Sequence, residues 1–119
     1  MRIGNLYADA APPVKGERFE PILSHKNLVI ERILSSAAIT SCKYVQQQDE
    51  WVVLLQGDAV LKVADETVTL KSGDYLFLPA GMPHTVERVS QGAIWLAMHF
   101  YSEQTVPPNN YEASRSQQG

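Results

Sequence analysis

Short segments of apolar or alternating residues, separated by turn residues, run through most of this chain and limit its fold more than any other feature. The turn residues recur about every 8 to 12 positions, which is the spacing typical of an antiparallel sandwich or barrel. Apolar residues at the 3.6 spacing of a helix are almost absent. We therefore predict an all-β fold, with strands in the segments 27–34, 51–56, 59–70, 75–78, 84–89 and 93–100.

The length of the chain suits one compact domain with its own core. It has 119 residues, of which 45% are hydrophobic. We expect this domain to span residues 28–101. The segments 1–27 and 102–119 are rich in Pro, Ser, Gln and Asn, so we expect them to be extended or mobile. The first of them could pair with the sheet edge of a second subunit, and we therefore predict a homodimer.

Charge and cysteine content exclude several classes of protein. The net charge of −3 and the scattered Lys and Arg residues argue against a nucleic-acid partner. No apolar run approaches the roughly 18 residues that cross a bilayer, and the first residues lack the apolar centre of a signal peptide. We expect no membrane association and a cytoplasmic location. Cys42 is the only cysteine, which excludes an intrachain disulfide and a cysteine-based zinc cluster.

Two motifs each combine turn residues with one side chain that could bind a metal or transfer a proton. Glu50 is followed after six residues by Gly57, and the segment 73–84 reads GDYLFLPAGMPH. These spacings resemble the paired motifs of the cupin superfamily, and in the second motif the Gly, Pro, Gly and His all fall at the family's offsets. The resemblance covers about residues 28–100. It implies a jelly-roll β-barrel of about six to eight strands, whose interior holds a divalent metal in catalytic members.

The resemblance also implies which residues stand at the metal-ligand positions. In cupins the first motif usually supplies two His and one Glu, and the second motif supplies a further His. Glu50 and His84 match their positions, whereas Tyr44 and Gln46 occupy the places of the two first-motif histidines. Arg88 replaces the Asn that closes the second motif. Half of the usual ligand set is therefore missing.

Further donors could complete this set. Imidazole and carboxylate ligands suit transition metals, whereas an amide oxygen is a weaker ligand. His99 would face the interior if its strand pairs with the strand of His84 across the turn at 90–92. We predict a divalent transition metal (Zn, Ni, Mn or Fe) bound by Glu50, His84, Gln46 and His99. Gln48 is a further donor, since it shares strand parity with Gln46 and Glu50.

Glu50 stands where a polar run becomes an apolar strand, so it should point inward. A buried carboxylate needs a metal, a cationic side chain or a proton of its own. Arg88 follows His84 by four residues, and strand parity would place both on one face. We therefore predict a pocket that includes Tyr44, Gln48 and Arg88, and an Arg88–Glu50 pair is the metal-free alternative.

Two functions remain open from these residues. The chain could be a small-molecule-binding cupin that catalyses a metal-assisted reaction on a small sugar or keto acid, with Glu50 or His84 moving a proton. It could instead be a metal-free, non-catalytic cupin that binds a ligand or serves as a dimeric module. Fold resemblance does not decide between them, so whether the protein is an enzyme stays open.

Overall fold

Every regular element in the described part of the chain is a β-strand, which confirms the all-β prediction. The computed structural model describes residues 1–102, so most of the predicted C-terminal segment lies outside the described residues. A helix with the length and hydrophobicity to span a bilayer does not occur within residues 1–102. The strands are β1 (Glu17–His25), β2 (Leu28–Ser35), β3 (Lys43–Tyr44), β4 (Asp49–Gln56), β5 (Asp58–Val63), β6 (Glu66–Lys71), β7 (Tyr75–Leu78), β8 (His84–Val89) and β9 (Ala93–Phe100).

The strands form two antiparallel sheets that enclose the core. One sheet has the order β1-β2-β9-β4-β7, and the other has the order β3-β8-β5-β6. Both sheets contribute to a single cluster of buried apolar side chains, which includes Leu54 and Trp95 from the first sheet and Leu61 from the second. Period-two alternation explains this arrangement, because alternate residues of each strand point to the same face.

The first sheet extends further toward the N-terminus than the sequence indicates. Glu17–His25 pairs along its length with Leu28–Ser35 and forms an edge strand, although the predicted domain began at residue 28. The segment was difficult to assign because it contains Pro21, beside which the register shifts. A proline has no N–H to donate, and edge strands and bulges tolerate this loss. Pairing of this edge with a second subunit stays a prediction.

Gly57 and Gly81 show why the two motifs need glycine. Gly57 has a φ of 101°, and a Cβ there would lie 2.5 Å from Ser90 Oγ, so a side chain would clash as well as strain the backbone. Gly81 has a φ of 81°, and its N–H donates a 2.8 Å hydrogen bond to the carbonyl of Gln46. The loop of the second motif is thereby attached to the polar run of the first.

Candidate small-molecule site

A cavity between the two sheets brings the residues of both motifs together. About 50 Å³ inside it is open to the centres of water-sized groups, and the empty space is about 450 Å³ when the solvent at its open mouth is included. The residues that line it are Glu17, Phe19, Ile33, Tyr44, Gln46, Glu50, Val52, Leu61, Leu78, His84, Val86 and Trp95. Its lining is mostly apolar with a few convergent polar groups, as is typical of small-molecule pockets.

Glu50 is the buried carboxylate of this cavity. It lies on β4 between Leu78 of β7 and His99 of β9, and only 5% of its surface is exposed. Gln46 Nε2 donates a 2.7 Å hydrogen bond to Glu50 Oε1. The inward orientation expected from the sequence is therefore confirmed, and the nearest polar partner is a neutral amide.

His84 faces the same cavity from the second sheet. It is 7% exposed and pairs with Tyr44 of β3, and the two rings lie 5.5 Å apart between centroids. Its Nδ1 lies 3.3 Å from the carbonyl oxygen of Met82. A carbonyl can only accept, so Nδ1 carries a proton, and Nε2 is the acceptor of the ring in its neutral form.

A second carboxylate, Glu17, lines the cavity from β1. The hydroxyl of Ser35 donates a 2.5 Å hydrogen bond to Glu17 Oε2 and accepts one of 3.1 Å from Trp95 Nε1. This chain of hydrogen bonds connects the core indole to a cavity carboxylate. Glu17 was missed in the sequence because it lies in a segment that reads as an extended terminus.

His99 is also inside the protein, but it belongs to a separate buried network. Its Nε2 donates a 2.8 Å hydrogen bond to Glu31 Oε1, while Gln48 Nε2 lies 3.2 Å from its Nδ1. Both His99 and Glu31 are 0% exposed. With Gln48 donating to Nδ1 and Nε2–H donating to Glu31, neither ring nitrogen has a lone pair left for a metal.

The route by which His99 was expected to reach the interior is wrong. β8 and β9 lie in different sheets, and β9 pairs with β2 and β4 instead. His99 faces inward because it pairs with Glu50 across β4 and β9, and directly opposed residues point to the same face. Gln48, predicted to line the pocket, contacts His99 instead. Glu31 was missed, although a Glu among Val29, Ile30 and Ile33 is the same signal that identified Glu50.

The predicted pocket position of Arg88 is also wrong. β8 pairs Val86 with Leu61 and Arg88 with Val60, so Glu87 is an extra residue in the β8 ladder. A β-bulge of this kind breaks the two-residue alternation. Arg88 is consequently exposed outside the cavity, where it cannot neutralise Glu50. The alternative of an Arg88–Glu50 pair is excluded.

The donor set does not fit a resident transition metal. Among residues 1–102, no group of three or more His, Cys, Asp or Glu side chains is placed to hold a metal ion. Glu50 and His84 line one cavity, but Gln46 directs its amide nitrogen to Glu50, and His99 is hydrogen-bonded to Glu31 and Gln48. Catalytic metal sites ordinarily have about three protein ligands, and although Glu17, Glu50 and His84 all line this cavity, they are not placed as such a group.

The fold and motifs agree with comparisons to known proteins. The model of the family described as "Cupin domain" matches residues 37–99, which is more than half of the chain. No curated protein sequence matches the chain significantly.

Solved structures resemble the chain over most of its length. A protein from Ralstonia eutropha JMP134, provisionally named a mannose-6-phosphate isomerase, is 33% identical, with 86% of this chain and 100% of that chain covered and a TM-score of 0.77. The protein TT1209 from Thermus thermophilus is 23% identical over 85% of this chain and 98% of its own, with a TM-score of 0.73. KdgF from Halomonas sp. is 12% identical over 82% of this chain and 89% of its own, with a TM-score of 0.68, a likeness of fold. The matched family model, the jelly-roll arrangement of strands and this coverage together show that the chain belongs to the cupin family.

Proposed function

We propose that this cupin binds one small polar organic molecule in the cavity between its sheets, through Glu50 and His84, without a resident transition metal. The observation that carries the proposal is the environment of Glu50. It is only 5% exposed, it lines the cavity between the two sheets, and its hydrogen-bond partner is the uncharged amide of Gln46. A carboxylate is costly to bury without a charged partner, so a buried carboxylate that lines a cavity indicates a role in ligand binding.

The described residues offer Glu50 no cationic partner. Within residues 1–102, the ion pairs join Glu20 to Arg18 and Arg32, and His99 to Glu31. A purely structural role for Glu50 would need one of these cations nearby, because removing a carboxylate from water without compensation destabilises the folded state. A ligand in the cavity would supply the missing interaction.

The same two side chains support proton transfer. The Glu50 carboxylate and the Nε2 of His84 are both proton acceptors that line one cavity. A bound sugar would therefore lie beside a general base, which is the part of an isomerisation or tautomerisation that needs no metal. Proton transfer on such a molecule is the reaction class that we propose if the protein is an enzyme.

A second candidate function comes from the relative that is 33% identical and named for a sugar phosphate. A phosphate group is usually bound by Arg, Lys or a helix N-terminus. Among the described residues, the side chains that line the cavity include neither Lys nor Arg, and two of them are carboxylates. The cavity therefore favours a ligand without phosphate. The predicted homodimer stays a separate prediction.

We expect small polar fragments to bind to the metal-stripped protein at this cavity. In ¹⁵N-resolved NMR with a chelator present, fragments should shift the signals of His84 and of the Trp95 indole. His84→Asn should weaken the binding by about tenfold, because it removes an acceptor to a ligand while its amide can still donate toward the Met82 carbonyl.

The matched control is His25→Asn, since His25 is exposed on β1 and does not line the cavity. It should leave fragment binding unchanged. Fragments that shift only signals remote from the cavity, or that bind His84→Asn as tightly as the parent protein, would contradict the proposed function.

A further inference from the structure

The charges around the cavity narrow the chemistry of its ligand. Glu17 lines the cavity from β1 and Glu50 lines it from β4. Among residues 1–102, no Lys or Arg side chain lines the cavity with them. Arg88, the cation expected from the sequence, lies on the outside because of the bulge at Glu87. An anionic ligand would be repelled by the Glu50 carboxylate, whereas a cationic ligand would be attracted to it.

The hydrogen-bonding atoms point to the same class of ligand. His84 Nε2 accepts, because Nδ1 donates to the Met82 carbonyl. Glu50 accepts through both of its oxygens, and Gln46 already contacts Oε1. A complementary ligand must donate at least two hydrogen bonds, and a protonated amine has up to three N–H donors in a compact group.

The apolar wall is also suited to an ammonium group. Phe19, Tyr44 and Trp95 line the cavity together with the two carboxylates. Aromatic ring faces attract cations, and the attraction increases when water is excluded. No three His, Cys, Asp or Glu side chains within residues 1–102 are placed to hold a bare metal cation, whereas an ammonium group needs hydrogen-bond acceptors and ring faces.

We infer that the ligand of this cavity is a small organic molecule with a protonated primary amine, whose ammonium group is held by Glu50 and His84. This inference rests on the proposed function, since it names the ligand class of the same cavity. It goes further because it excludes sugar phosphates and other anions and assigns the charge recognition to Glu50.

Matched pairs of probes test the inference by titration calorimetry on chelator-treated protein. The pairs are glucosamine with glucose, butylamine with butanol, and 2-phenylethylamine with 2-phenylethanol, together with glucose 6-phosphate as an anion. We expect at least one amine to bind about tenfold more tightly than its hydroxyl partner, because a charge-assisted hydrogen bond replaces a neutral one. Glucose 6-phosphate should not bind.

The substitution Glu50→Gln should reduce this preference for the amine to near unity. The control Glu87→Gln makes the same change of charge on an exposed residue outside the cavity and should keep the preference. A hydroxyl or phosphate probe that binds in the cavity at least as tightly as its amine partner would overturn the amine inference and leave the proposed function standing. If no probe and no fragment shifts the NMR signals of the cavity residues, both the amine inference and the proposed function are contradicted.

Discussion

Replacing His99 with leucine is expected to lower the free energy of unfolding by about 3 to 5 kcal/mol. His99 and Glu31 are both 0% exposed, and their 2.8 Å contact lies in the interior between β2 and β9. The substitution would leave the carboxylate of Glu31 buried without its histidine partner, which costs more than the loss of an ordinary hydrogen bond. Urea denaturation of the single variant measures the effect.

The double variant Glu31→Leu with His99→Leu tests whether the two residues stabilise the fold as a pair or contribute independently to the free energy of unfolding. Because replacing both members of a buried polar pair with apolar groups is often nearly neutral, the double variant should be more stable than the His99→Leu variant. The control His25→Leu changes an exposed histidine and should alter stability by less than about 0.5 kcal/mol. Losses that simply add in the double variant would contradict the coupling.

Replacing Glu50 with glutamine is expected to stabilise the ligand-free protein by about 1 kcal/mol and to weaken amine binding by about tenfold. The substituted amide oxygen can still accept the hydrogen bond from Gln46 Nε2, and the buried charge is removed. Active sites often retain groups that destabilise the free protein, because the ligand supplies their missing interaction. Opposite signs of the two effects would identify Glu50 as a functional rather than a structural carboxylate.

Urea denaturation and calorimetric titration of the same Glu50→Gln preparation give both quantities. Glu87→Gln is the control, since it removes an exposed charge and should change neither stability nor binding appreciably. A Glu50→Gln variant that unfolds more easily than the parent protein by about 1 kcal/mol or more would show that the carboxylate stabilises the fold.

The family and the shared cavity position of Glu50 and His84 could be predicted from the sequence because they depend on local spacing. The glycines and the proline of the motifs are fixed by turns, and Glu50 and His84 follow from their offsets to those turns. The buried position of Glu50 also follows from the alternation of β4, since a regular strand carries parity from one residue to the next.

The predicted side-chain positions are wrong where two-residue strand alternation is interrupted by an irregularity or where strands expected to pair lie in different sheets. Arg88 was assigned inward because nothing in the local sequence reveals the bulge at Glu87, which arises from the pairing of β8 with β5. Gln48 was assigned to the cavity as if residues 44–57 were one strand, whereas β3 ends at Tyr44 and β4 begins at Asp49. The register of His99 depends on β2 and β4, which are distant in the chain.

In the proposed function, this cupin binds a small organic molecule through Glu50 and His84 without a resident transition metal. The most direct test is the metal content of the protein purified without chelator or a metal-carrying tag, together with amine binding before and after chelation. We expect a substoichiometric metal content and binding that chelation does not change, because no three His, Cys, Asp or Glu side chains within residues 1–102 are placed to hold a metal ion. A stoichiometric transition metal that disappears in His84→Ala, with binding abolished by chelation, would contradict the account.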